Sequence, residues 1–271
     1  MVRSLWSAAT GMIAQQTNVD TISNNLANVN TTGYKTEVAE FKSLLYQTLQ
    51  TKSTTANNQQ KPIGAQVGLG VRNSSITSIF RQGSFMESSS TSAFAINGSG
   101  FFAVRGADGT TYYTRNGNFN WSMGTNGLML TNSEGYPVLD TNGRGIVLSG
   151  DYTVSKITIS SDGTICYPDA SGNPQSLGVT IGVFQFQNPA GLEKNGNSLF
   201  EATAASGAAI NEATNANVKK SQVVQGYLEG SNVQVVDEMV NLIVAQRAYE
   251  MNSKAIQASD EMLQQANSLK K

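Results

Sequence analysis

Histidine is absent from this 271-residue chain, and cysteine occurs once, as Cys166. Without histidine, Ser-His-Asp and Cys-His nucleophilic mechanisms are excluded. A single thiol makes no intrachain disulfide, and a four-ligand zinc site has too few donors. Charge is scarce too: 14% of residues are charged and the formal net charge is −1, against a usual charged share of about 25%. With no basic block, nothing suits the phosphates of a nucleic acid. No apolar run approaches the ~18 residues that a membrane span needs. The N-terminus has one basic residue, Arg3, followed by residues too polar for a signal-peptide core, so no cleaved leader is expected. These signals alone read as cytosolic, unless export proceeds without a cleaved signal.

The short motifs that could carry chemistry are thin. Gly98-Ser99-Gly100 and Gly68-Leu69-Gly70 lack the third glycine and the following helix of a dinucleotide loop. Asp108-Gly109 and Asp162-Gly163 lack the series of carboxylates that a calcium loop requires. Cys166, between Ile165 and Tyr167, reads as a core residue of a strand. Arg247 and Tyr249 read as an i,i+3 partner of Glu250 and a seam aromatic. No catalytic residue, cofactor or metal is expected.

What the chain does have is a heptad seam at each end. Val235, Leu242, Tyr249, Ile256 and Leu263 follow one another at steps of seven. Met239, Gln246, Ser253 and Asp260 interleave with them. Ser231 with Gln234 fits a capping box; Asp237 and Glu238 suit a helix start, and Lys270 and Lys271 its end. Glu250 and Lys254 add an i,i+4 pair. A helix over 233–269 would be roughly 55 Å long at ~1.5 Å per residue. It needs a partner.

That partner is at the other end. Leu5, Ala8, Met12, Val19, Ile22, Leu26 and Val29 repeat the 3,4 spacing, with Gln15 in one polar slot, and Gly33 stands where a C′ glycine should. From Met1 to Tyr34 the only charged side chains are Arg3 and Asp20. Asn24, Asn25 and Asn28 are middling helix formers, and an outer face of amides and hydroxyls suits helices packed on all sides by copies of themselves.

Between the ends the period changes. Residues 34–50 read as a short helix or an extended connection, and 51–62 as a polar linker. Val67, Leu69 and Val71 give the first strand signal. Short apolar runs then alternate with Asn-Gly and Asp-Gly turns to about Phe200, the pattern of an all-β domain. Candidate strands are 101–104, 111–114, 128–130, 157–159 and 179–186. The predicted core is Phe94, Phe101, Phe102, Tyr113, Phe119, Leu130, Val138, Ile159, Val183 and Phe186. The fold class is therefore α+β: terminal helices paired as a coiled coil (1–33 with 231–271), a connecting segment (34–70 with 217–230), and an all-β domain (71–216) inserted between them.

Two stretches resemble a known family. Ser23-Asn24-Asn25-Leu26-Ala27-Asn28-Val29-Asn30-Thr31-Thr32-Gly33-Tyr34-Lys35 is similar to the N-terminal signature of the bacterial flagellar rod and hook proteins. Ala245-Gln246-Arg247-Ala248-Tyr249-Glu250-Met251-Asn252-Ser253-Lys254-Ala255-Ile256 resembles their C-terminal signature. Leu5-Trp6, Leu44-Leu45-Tyr46-Gln47, Gly226-Tyr227 and Ser231-Asn232-Val233 bring the likeness nearest to the distal-rod branch. The likeness is loosest over 124–216. It implies a structural, non-enzymatic subunit that polymerises through its terminal helices into a rigid hollow tube, with the β domain outside. The implied location is the flagellar basal body in the cell envelope, reached through the flagellar export apparatus without a cleaved signal. The implied partners are further copies of the chain, proximal rod, hook or junction subunits, and rod-encircling ring proteins, with no nucleic acid and no membrane insertion. The polar insert 47–64 resembles the segment that separates distal rod from hook, which implies that neighbouring subunits order it. The alternatives are a hook or proximal rod subunit, or a secreted carbohydrate-binding or adhesive β protein on a helical stalk. The last would need an aromatic, acid-lined groove.

Overall fold

A computed structural model of the chain describes residues 2–50, 64–124, 127–150, 152–169, 171–215 and 217–268. It divides into two compact units. One comprises Met1–Ala27, Glu37–Ser78 and Gln234–Lys271; the other comprises Asn28–Thr36 and Ile79–Val233. The connecting segment of the sequence reading is thus shared out: 37–70 belongs with the helices, and 217–230 with the β unit.

In the helix unit, α1 (Val2–Ala27) packs on α2 (Val235–Ser268), and four strands accompany them. The helices run antiparallel, since Ser4 meets Ser259 and Gly11 meets Asn252. At 34 residues, α2 is about 51 Å long at 1.5 Å per residue. Its start differs from the expected capping box. The Ser231 hydroxyl accepts the Val233 N–H at 3.3 Å, one turn before the helix, and Gln234 supplies the first helical carbonyl to Glu238. Residues 34–50 are extended: β1 (Glu37–Ser43) and β2 (Tyr46–Gln50) replace any second helix. β2 pairs with β3 (Ala65–Gly68), and β1 pairs with β4 (Val71–Ser78) across a bulge between Glu40 and Phe41. Of the insert 47–64, residues 47–50 lie in β2, while 51–63 fall outside the described residues.

The β unit centres on a six-stranded antiparallel sheet. In spatial order its strands are Glu193–Asn195, Leu199–Glu201, Thr111–Thr114, Phe101–Arg105, Val183–Gln185 and Ile210–Asn211. Every predicted core residue is buried except Ile159, which is half-buried. Phe101 meets Phe80, Phe186 and Phe200 edge to face, and Phe102 meets Phe119 the same way. Burying each ring contributes roughly 1.5–3 kcal/mol, with about 0.5–1.5 more per well-set aromatic pair. The apolar run 179–186 is not one strand. Pro174–Thr180 ends one sheet and Val183–Gln185 begins another, because Gly182 lies so close to the Asp140 carbonyl that a Cβ would sit 2.5 Å from its oxygen.

Gly33 has a different role from the one expected. Helix α1 ends at Ala27, so Val29 lies beyond it and Gly33 is not its C′ residue. Gly33 has φ +71°, donates its N–H to the Glu229 carbonyl at 2.8 Å, and leaves a Cβ only 2.6 Å from the Asn116 nitrogen. Left-handed backbone alone costs a side chain about 1–2 kcal/mol. The clash is with backbone, which cannot swing aside. Gly33→Ala should therefore lower stability by at least about 2 kcal/mol, read from the denaturant midpoint of the purified chain.

Candidate assembly surface

Of the first predicted row, Leu242 and Ile256 are half-buried, while Val235, Tyr249 and Leu263 are exposed. The second row, however, is displaced by one residue. Met239, expected inside, is 51% exposed, and Gln246 and Asp260 also face out. The inward row is Glu238, Ala245, Asn252 and Ser259. Small residues of α1 face it, Gly11 at Asn252 and Ser4 at Ser259, and Ala8 and Ala14 are buried on the same helix. Gly11 has no Cβ, which would stand 2.9 Å from Asn252 Nδ2. Ser4 and Ser259 join hydroxyls at 3.3 Å. A search for bulky apolar residues passes over such a row; the period of seven in Ala245, Asn252 and Ser259 was its signal.

The other predicted residues divide by exposure. On α1, Leu5, Met12, Val19 and Leu26 are half-buried and Ile22 is buried. On α2, Val235 and Leu263 are exposed. Val19 and Tyr249 line an open groove of about 400 Å³ with Gln16, Gln246 and Glu250. Glu250 pairs with Arg247 at 2.8 Å instead of with Lys254, both partners being largely exposed. Ala248 is half-buried, while Asn24, Ala27 and Lys254 face solvent.

Outside the seam a further stripe appears on α2: Val236, Val240, Ile243 and Val244, with Met251 seven residues beyond Val244, all exposed. On α1, Trp6 and Ile13, seven apart, are equally bare. Contiguous apolar surface of this kind marks an interaction face.

The asparagines of the N-terminal signature work locally. Asn25 is buried and pairs with Glu37 like a strand, donating Nδ2 to its carbonyl at 2.8 Å and accepting its N–H at 2.9 Å. Asn28 and Gly33 belong to the β unit, where Thr31 donates its hydroxyl to Asn28 Oδ1. Lys35, closing the signature, is fully buried. Its Nζ donates to Glu229 Oε1 at 2.6 Å and to the Arg81 carbonyl at 2.9 Å. Arg115 Nη1 reaches Glu229 Oε2 at 3.2 Å, and the Gly83 N–H also donates to that carboxylate. Burial pushes both cations below their usual pKa ranges, and Glu229 opposes the shift in each. Nearby, Asn232 accepts from the Thr36 N–H and hydroxyl and donates to the carbonyls of Ile79 and Arg81. Neither cluster was singled out in the sequence, because its members lie up to 196 residues apart.

The terminal helices carry bare apolar faces and flank the β unit in sequence. Family matches fall on the same parts. Residues 5–35 match "Flagella basal body rod protein", 95–167 the D1 domain of "Flagellar hook protein FlgE/F/G", and 224–269 the C-terminal part of "Flagellar basal body rod FlgEFG protein". The flagellar basal-body rod protein FlgG of Borreliella burgdorferi is 46% identical over 277 residues, covering both chains completely. The proteins of the same name from Caulobacter vibrioides and Bacillus subtilis are 42% and 37% identical, with 99% and 100% of this chain and all of each relative covered. This chain belongs to the flagellar basal-body rod family. Its role there is structural, as a subunit of the rod.

Proposed function

We propose that the chain is the subunit of the distal rod, polymerising into a rigid, hollow helical shaft that carries torque from motor to hook and encloses the export channel. The observation that carries this reading is the bare apolar stripe on α2 together with Trp6 and Ile13 on α1. Such surface is retained in a soluble chain at a risk of aggregation, and copies of the same helices are its natural cover. The polymerisation residues are those of the two helices: Leu5, Met12, Val19, Ile22, Leu26, Val235, Met239, Leu242, Tyr249, Ile256 and Leu263. Val29 acts from the turn beyond α1. The partners are further copies, proximal rod and hook or junction subunits, the export apparatus, and the rings that encircle the rod. The site of action is the basal body in the cell envelope, reached without a cleaved signal. No catalytic step is assigned.

The test is a concentration series of the purified chain, followed by sedimentation and electron microscopy. Straight hollow polymers above a critical concentration are the expected result. A chain monomeric at every concentration would overturn the reading. Deleting 47–64 separates the family members: the distal rod should lose straightness, whereas polymers left straight would point to a proximal rod subunit or hook.

A further inference from the structure

Asparagine followed by glycine is a chemically fragile pair, because glycine has no side chain to shield its backbone nitrogen from the neighbouring amide. The pair occurs at Asn97-Gly98, Asn116-Gly117, Asn126-Gly127, Asn142-Gly143 and Asn195-Gly196. Asn126 lies outside the described residues. All but one of the rest are pinned. The Gly98 N–H donates to Gln82 Oε1 at 3.1 Å, and its carbonyl accepts from Arg115 Nη2 at 2.7 Å. The Gly143 N–H donates to the Asp140 carbonyl at 3.1 Å, and its carbonyl accepts from Arg105 Nη2 at 2.7 Å. Asn116 Oδ1 accepts from the Thr32 hydroxyl at 2.9 Å and the Asn118 N–H at 3.0 Å, while Gly117 is buried against the Phe94 carbonyl.

Asn195-Gly196 is different. Asn195 ends the strand Glu193–Asn195, and Gly196 opens the loop to Leu199–Glu201, in the hairpin at one edge of the six-stranded sheet. Asn195, Gly196 and Asn197 are all exposed. Among the described residues neither the Asn195 side-chain amide nor the Gly196 N–H makes a hydrogen bond. A Cβ placed on Gly196 would meet nothing within 4 Å. The backbone is left-handed through Gly196, Asn197 and Ser198, with φ of +32°, +53° and +59°. Asn197 and Ser198 are the only non-glycine residues so held among those described, a conformation that side chains adopt at a cost. The attacking nitrogen, the amide under attack and the space around them are open, in a turn already strained.

We propose that Asn195 is a site of spontaneous deamidation, with water as the co-reactant. The Gly196 nitrogen gives up its proton and bonds to Asn195 Cγ; the Cγ–Nδ2 bond breaks, and Nδ2 leaves as ammonia with that proton. The five-membered imide then takes up water. Opening at the side-chain carbonyl gives aspartate. Opening at the backbone carbonyl gives isoaspartate, whose main chain is one carbon longer. No oxidant or reductant is involved. Either product places a carboxylate at the tip of a hairpin that already sets Glu193 opposite Glu201. Like charges facing across a ladder weaken it, so the new charge adds to a repulsion already there. The reaction belongs to the single chain and does not depend on polymer formation.

The test holds the folded chain, and the same chain unfolded in guanidinium, in mildly alkaline buffer while peptide mass spectrometry follows each asparagine. In the folded chain Asn195 should convert about tenfold or more faster than Asn97, Asn116 and Asn142, because each of those must first break hydrogen bonds and open locally. In guanidinium the four rates should draw together. The Asn195 peptide should resolve into aspartate and isoaspartate forms, with matching release of ammonia. Asn195→Gln should release correspondingly less, since glutamine has to close a larger ring. Asn195 reacting no faster than the pinned asparagines overturns the proposal. So does a ranking that persists in guanidinium, since the sequence and not the hairpin would then set it.

Discussion

Glu229→Gln should cost the β unit about 3–5 kcal/mol, enough to remove much of the ~5–15 kcal/mol that holds a typical domain folded. The carboxylate is completely buried and faces two buried cations, Lys35 Nζ at 2.6 Å and Arg115 Nη1 at 3.2 Å. An amide keeps the shape and one acceptor oxygen, but its NH₂ turns a donor towards groups that can only donate. Two desolvated charges are then left without a counter-charge. Arg115 is held by further contacts, donating Nη2 to the Gly98 carbonyl and lying 5.1 Å above the Phe101 ring, so it cannot withdraw to water without opening the core. Equilibrium denaturation of both chains measures the difference. The contrast is Arg247→Ala, which breaks an ion pair whose partners are mostly exposed and should leave the midpoint nearly unmoved. A Glu229→Gln chain as stable as the natural one would mean that the triad contributes little beyond packing.

Val240→Asp should leave the monomer intact and abolish polymerisation. Val240 is 55% exposed and its neighbour on the stripe, Ile243, 57%, so a carboxylate at either position stays hydrated in the single chain. Against another copy's helix the same carboxylate would be stripped of water with no cation to meet it. The loss of an apolar contact, roughly 1.5–3 kcal/mol for a valine-sized side chain, adds to that penalty. Together they should raise the critical concentration at least about a hundredfold. Circular dichroism and melting temperature of the dilute chain should match those of the natural protein. The pair of readouts is what matters: a variant that both melts early and fails to assemble says nothing about the surface. One that folds and assembles normally removes this stripe from the interface.

The terminal helices were legible because their pattern repeats over many turns. Leu242 and Ile256 sit where a seven-residue period puts them, and the phenylalanines of the β unit are buried where alternation and turn dipeptides imply. The shift of the second seam row has a plain cause. Apolar residues were read as inward, but α2 has apolar residues on two faces, one packed on α1 and one bare. Met239 belongs to the bare side, while Glu238 and Ala245 take the inner slot, in the row where Asn252 meets Gly11. Gly33 was misread for a similar reason. A glycine after a helical run fits a C′ position, yet this one serves an approach to Asn116 that is more than eighty residues distant in sequence. The Lys35, Arg115 and Glu229 cluster was invisible for want of any local period, since three ordinary charges scattered along a chain look like three solvated surface groups. Most of the insert, residues 51–63, lies outside the described residues, and its reading as a segment ordered by neighbours rests on the resemblance.

Lys35 and Glu229 are separated by 194 positions, and the β unit is assembled from residues at both ends of the intervening stretch. A chain delivered N-terminus first therefore cannot close this unit when its strands emerge. Closure must wait until Glu229 and Asn232 arrive, some two hundred positions after Lys35 and Thr36. Until then Lys35 and Arg115 have no buried counter-charge and are better left in water, so the desolvation penalty itself opposes premature collapse. Contacts of such long sequence separation are slow to form. The triad thus ties together two stretches of chain that only long-range closure can bring into contact.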